Sequence, residues 1–128
     1  MKLRLLDVLA CPMCKNFPLK LTIITEREDE GRGVEEVPCE LFCGYHQAFI
    51  STLERNRLIK DCNICMKRTI VHGVLFCEKC GRWYPIIDEI PRMMPDDLRE
   101  RKEELKFLKE NAEAIPERIL KEGKPFHL

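Results

Sequence analysis

The chain has 128 residues, 45% of them hydrophobic, with 22 basic and 22 acidic side chains and a formal net charge of zero. That length suits one domain, or one small domain carrying an insertion. The neutral balance argues against autonomous nucleic-acid binding, and no apolar run approaches the ~20 residues that span a bilayer.

Charged residues reach 34%, above the ~25% of ordinary domains. The excess fits either surface ion-pair networks of a thermophilic kind or a pair of solvated helices. The apolar stretch within Met1 to Ala10 is too short for a signal peptide and contains Asp7. A cytoplasmic location is therefore expected, where cysteines more often bind metal than form disulfides.

In chain order, Leu3, Leu5, Leu6, Val8 and Leu9 precede the first cysteine pair as a short strand or one helical turn. Leu19 to Ile24 alternates as a strand does. Glu26 to Glu36 is acidic, contains Gly31 and Gly33, and reads as an exposed loop or wide turn. Tyr45, Phe49 and Leu53 recur at four-residue spacing, which predicts a helix over residues 44–57.

Gly73 to Phe76 and Trp83 to Ile87 are β-prone arms flanking Cys77 and Cys80, the pattern of a β-ribbon. Asp88-Glu89-Ile90-Pro91 turns the chain. Asp96 or Asp97 is placed to cap a helix after Pro95. Leu98, Leu105, Leu108, Ala112 and Ile115 then form one narrow apolar stripe, expected to pack on the body of the protein. A shorter helix starts at Pro116 and stops at Gly123.

The eight cysteines fall into four pairs: Cys11/Cys14, Cys39/Cys43, Cys62/Cys65 and Cys77/Cys80. A two-residue gap lets a tight turn aim two thiolates at one ion, and two such turns complete the tetrahedral shell of a structural zinc. The outer pairs are the most alike, so Cys11, Cys14, Cys77 and Cys80 are the expected Zn²⁺ ligands. Zinc carries no redox chemistry, and a shell filled by four thiolates leaves no place for a substrate water.

The inner cysteines, Cys39, Cys43, Cys62 and Cys65, have spacing that suits a second zinc, disulfides or free buried thiols. A helix over 44–57 would span ~20 Å and leave few residues to return Cys62 to Cys43. His46, His72 and His127 read as surface or packing residues. No phosphate or dinucleotide fingerprint is present, and the only serine, Ser51, lies in no nucleophile elbow. No catalytic residues are expected.

The run Leu5-Leu6-Asp7-Val8-Leu9-Ala10-Cys11-Pro12-Met13-Cys14 and the later run Gly73 to Pro95, with its Cys77-x-x-Cys80-Gly81-x-x-Tyr84-Pro85-Ile86 core, together resemble the zinc-ribbon methyltransferase-activator family. Its members are the shared small subunits of tRNA, ribosomal RNA and release-factor methyltransferases in archaea and eukaryotes. The resemblance implies an α+β fold. A small zinc-ribbon domain, residues 1–24 and 71–95, is split by a mostly helical insertion over 25–70 and followed by a helical tail over 96–128.

It also implies a non-catalytic subunit that forms a heterodimer with a Rossmann-like methyltransferase, keeping that partner soluble and competent for S-adenosylmethionine. One departure is Glu89, where the family usually has glycine, so the turn must form without a free positive φ or with strain. Trp83, Ile86, Ile87, Ile90, Met93 and Met94 are too many large apolar residues for one ribbon face, and are expected to supply a partner-binding patch. The bland reading packs them under the C-terminal helices. The alternative function is a zinc-ribbon nucleic-acid-binding module of the transcription or translation machinery, and a redox protein is a third reading.

Overall fold

Alternation of large apolar residues through 74–76 and 83–87 gives these arms two faces, and both are covered. The computed structural model describes residues 1–31 and 33–128. Its main sheet is antiparallel and contains β1 (Lys20–Glu28), β4 (Arg68–Phe76), β5 (Trp83–Ile87) and β6 (Ile90–Pro91), in the order β1-β4-β5-β6. A second, two-stranded sheet pairs β2 (Phe42–Cys43) with β3 (Ala48–Phe49).

One face of the main sheet carries Leu75, Tyr84 and Ile86, which pack with Leu3, Leu6, Cys11 and Leu19. The other carries Val74, Phe76 and Trp83, which pack with Phe107, Leu108, Ile115 and Ile119 of the tail. Two small cores thus share one sheet, with the hydrophobic effect acting through both faces. The N-terminal apolar stretch resolves as a 3₁₀ turn, Leu3–Asp7, that buries Leu3 and Leu6.

Strand β1 continues through Glu26, Arg27 and Glu28, which pair with Ile70, Thr69 and Arg68. The acidic stretch is therefore not loop from its start. Arg68 forks onto the Glu26 carboxylate at 2.9 and 3.2 Å, a cross-strand charge pair that offsets the poor β-propensity there. An irregularity around Thr25 shifts the register midway. Because β1 reaches Glu28 and β4 begins at Arg68, the ribbon's strands extend past residues 24 and 71 into the span assigned to the insertion.

The helix expected over 44–57 does not form. Residues 44–47 make the turn between β2 and β3, and Gln47 takes a φ of 53°. A 3₁₀ turn follows at Ile50–Thr52, and α1 occupies Arg55–Cys65. The competing force is tertiary. The Asp7 carboxylate accepts the N–H groups of Glu40, Leu41 and Phe42 at 2.9, 2.8 and 2.7 Å, pinning this segment to the N-terminal turn. Phe42 and Phe49 meet edge-on across the small sheet with centroids 5.6 Å apart. The four-residue spacing of Tyr45, Phe49 and Leu53 reflects these separate contacts and not a helical face.

In the tail, α2 (Arg101–Glu110) begins after Glu100, with no side-chain cap, and Asp96 and Asp97 lie in a preceding 3₁₀ turn. Asp96 is instead held by Arg82, Nε to Oδ1 at 2.9 Å and Nη2 to Oδ2 at 2.8 Å. Leu98 shares that turn and is 61% exposed, so it leaves the stripe, whereas Leu108 and Ile115 are buried against the sheet. The short helix α3 (Glu117–Glu122) follows Pro116 and ends at Gly123 as expected. Gly123 serves close approach: a Cβ there would sit 2.7 Å from Trp83 Cδ1. No described helix is long and apolar enough to cross a membrane.

Candidate metal centre and partner face

Two short turns of matching construction face each other across the first core. In one, the Cys11 N–H donates to Asn16 O at 2.9 Å and the Lys15 N–H to Cys11 O at 2.8 Å. In the other, the Cys77 N–H donates to Arg82 O at 2.8 Å and the Gly81 N–H to Cys77 O at 2.9 Å. The residue four after each leading cysteine has positive φ, 66° at Lys15 and 79° at Gly81. Glycine meets that requirement freely, while lysine does so at a cost of ~1–2 kcal/mol.

The turns bring together Cys11, Cys14, Cys77 and Cys80, whose sulfurs all lie within 4.8 Å of one another. Cys11 Sγ stands 3.7 Å from Cys80 Sγ, and Cys14 Sγ stands 3.5 Å from Cys77 Sγ. A tetrahedron with zinc–sulfur bonds of ~2.3 Å has edges of ~3.8 Å, so the donor set fits a tetrathiolate metal ion.

The protein environment divides the thiols. Burial opposes ionisation of Cys11, but the Tyr84 hydroxyl, the N–H groups of Cys14 and Met13, and the Cys80 thiol outweigh it and bring Cys11 down to about 6. Burial pushes Cys77 up to about 12, with the Cys14 and Cys80 thiols adding to it. A divalent cation held there would supply the charge that lets all four ionise together.

Sequence reasoning missed Tyr84 as part of this centre. Its hydroxyl lies 3.1 Å from Cys11 Sγ and donates to the thiolate. Arg82, engaged by Asp96 first and also by the Cys80 sulfur, holds its charge more firmly than an ordinary arginine. The strand alternation after Cys80, which sends Tyr84 to the cysteine face, was the signal available.

The inner cysteines come from the loop at Cys39, from β2 at Cys43, and from the last two turns of α1 at Cys62 and Cys65. All four line one cavity with Val37, Ile50 and Leu58. Burial first raises Cys39 and Cys65 to about 11 and raises Cys62 as well, with repulsion from the Asp7 carboxylate next at Cys39 and from Cys43 next at Cys62 and Cys65. Their sulfurs do not converge as the outer four do. His46 faces Asp61, Nε2 to Oδ2 at 2.8 Å, and His72 faces Asp88 at 3.4 Å.

Of the six residues expected on a partner face, Trp83 and Ile86 are wholly buried within the chain. Trp83 stacks on Phe107 with centroids 6.1 Å apart and donates its indole N–H to Phe126 O at 2.9 Å. The tail and the sheet satisfy both its ring and its donor, so it is a core residue here. Ile87 packs partly against the same core and Met93 against the first core. Met94 is half-buried, and Ile90, in the edge strand β6, is 64% exposed. The turn before it holds Asp88 at φ 48° and Glu89 at φ 71°, so the strained arrangement expected at Glu89 is present.

Curated proteins provide no match to this chain. A family model described as Trm112p-like protein matches residues 2–89, a span containing both cysteine turns and all of the intervening insertion. The chain belongs to the Trm112p-like family, the shared small subunits that activate methyltransferases.

Proposed function

We propose that this chain is the non-catalytic, zinc-folded partner of Rossmann-like, S-adenosylmethionine-dependent methyltransferases that act on tRNA, ribosomal RNA or a translation release factor. The observation that carries this reading, beside family membership, is the edge hairpin of β5 and β6. It presents exposed Ile90, with Ile87, Met93 and Met94 half-buried around it. An edge strand with apolar side chains can extend a partner's sheet, where main-chain hydrogen bonds give affinity and alternate side chains give specificity. Activation follows by mass action, since a subunit that binds only the folded enzyme raises that enzyme's stability. The role of zinc is structural: its ligands come from distant parts of the chain, and closing the shell is folding.

The test is co-purification of methyltransferase subunits from native cells with wild-type and Ile90→Asp chains. Truncating or charging a central interface residue costs ~2 kcal/mol or more, about thirtyfold in affinity. Ile90→Asp should lose the methyltransferases while keeping its zinc and its melting temperature, because the side chain is neither ligand nor core. Full retention of stoichiometric methyltransferase by Ile90→Asp would overturn the assignment of this face.

A further inference from the structure

We infer that Cys39, Cys43, Cys62 and Cys65 form a second tetrathiolate site that takes one zinc ion and holds the insertion together. The four side chains reach the same cavity from three separate positions in the chain. That cavity has a volume of about 20 Å³. A water-sized occupant needs ~10–15 Å³, so there is room for one atom-sized guest and little more. Apart from Arg4, Tyr45 and Asp61, the side chains around it are apolar or thiol, and the four thiols suit a soft, sulfur-seeking cation.

The backbone supports the same chemistry. The His46 N–H points at Cys43 Sγ at 3.4 Å. At the outer centre the N–H three residues after each leading cysteine, that of Cys14 and that of Cys80, does the same for Cys11 and Cys77. A donor aimed at sulfur from position i+3 is thus common to three turns of this chain. Cys62 and Cys65 lie one helical turn apart at the carbonyl end of α1, the end at which a cation is favoured.

The fold also needs a closure at this point. Between Glu28 and Arg68 the buried apolar residues, among the described residues, are Val37, Cys39, Phe42, Cys43, Ile50, Leu58 and Cys65, and three of these seven are cysteines. The only β-structure described in this span is a pair of two-residue strands. Segments of ~40 residues or fewer seldom hold a fold without a metal, a disulfide or a partner. The turn at 44–47 and the late start of α1 remove the obstacle that a helix over 44–57 would have posed, since α1 itself delivers Cys62 and Cys65 to the wall that Cys43 lines. Binding exchanges the thiol protons for one divalent cation and draws the sulfurs in around the cavity.

The measurement is zinc per chain, by elemental mass spectrometry, on full-length protein produced under reducing conditions with added zinc. Wild type should carry two equivalents, and Cys62→Ser/Cys65→Ser should carry one. Iodoacetamide should label the inner cysteines of wild type only after a chelator is added. If the variant fails to fold, wild-type stoichiometry and alkylation protection still decide. One zinc per chain with inner cysteines freely alkylated, or a mass showing inner disulfides, would overturn the proposal. None of these readouts depends on methyltransferase binding.

Discussion

Removing the Glu104 carboxylate should be among the most damaging single changes outside the metal centre. Arg99 and Glu104 form a buried pair, with side chains 1% and 9% exposed. Arg99 Nε reaches both carboxylate oxygens, at 2.8 and 3.0 Å, and Nη2 makes a further short bond to Oε1. The guanidinium also lies over the rings of Trp83 and Tyr84, 5.1 Å from each centroid. Its Nη1 has no hydrogen-bond partner among the described residues, so all of the guanidinium's side-chain hydrogen bonds go to Glu104.

Glu104→Ala leaves that charge buried and unpaired, which costs ~3–5 kcal/mol. For a chain of this size the melting temperature should fall by ~10–20 °C. The Arg99→Met/Glu104→Leu double variant replaces the pair by apolar groups and should recover all but ~1–2 kcal/mol, the remainder being the lost cation–π contacts. Urea denaturation of the zinc-loaded chain, with zinc content measured alongside, is the assay. A loss below ~1 kcal/mol for Glu104→Ala, or a double variant less stable than the single, would refute the argument that the unpaired buried charge causes most of the destabilisation.

Asp7→Ala removes three N–H acceptances at a partly solvated site and should cost ~2 kcal/mol, with faster amide exchange at residues 40–42 as the local readout. Burial works against the Asp7 carboxylate, but the N–H groups of Glu40, Phe42 and Leu41 prevail and hold it below the usual carboxylate range. Its contribution is therefore complete above the unfolded value near pH ~4 and is lost as pH falls through the lower folded value, so the gap between Asp7→Ala and wild type should narrow in acid. A gap that stays constant down to acid unfolding would contradict this. Glu89→Gly should relieve a strain of ~1–2 kcal/mol at φ 71°, partly offset by the loss of the Arg27–Glu89 ion pair and by the greater freedom of glycine when unfolded. A net rise in melting temperature is expected, and a fall would show that the ion pair matters more. Tyr84→Phe deletes the hydroxyl 3.1 Å from Cys11 Sγ and should weaken zinc ~10–100-fold in a chelator competition without abolishing the fold.

The outer cysteines, the two ribbon arms and the short helix between Pro116 and Gly123 were legible from residue order alone, because each rests on local chemistry. A two-residue gap between thiols, β-branched and aromatic alternation, and proline and glycine punctuation act over a few neighbouring residues. What failed locally was decided by contacts made across the chain. Residues 44–57 have a helical period, yet Asp7, some 35 positions earlier, claims the backbone donors that precede them and Phe42 pairs with Phe49. Asp97 and Asp96 look like caps, but Arg82 takes Asp96 from across the ribbon. Trp83 and Ile86 read as surplus apolar surface only while their covers are out of view; Ile86 packs with Leu3, Leu6 and Leu19 on the first face, Trp83 becomes core once α2 and α3 cover the second, and Ile90 remains outside because it stands in the edge strand with no described strand beyond it. Local propensity amounts to tenths of a kcal/mol per residue, whereas burying one aromatic or satisfying a carboxylate with three donors is worth ~2 kcal/mol, and these larger, nonlocal contributions set the final arrangement.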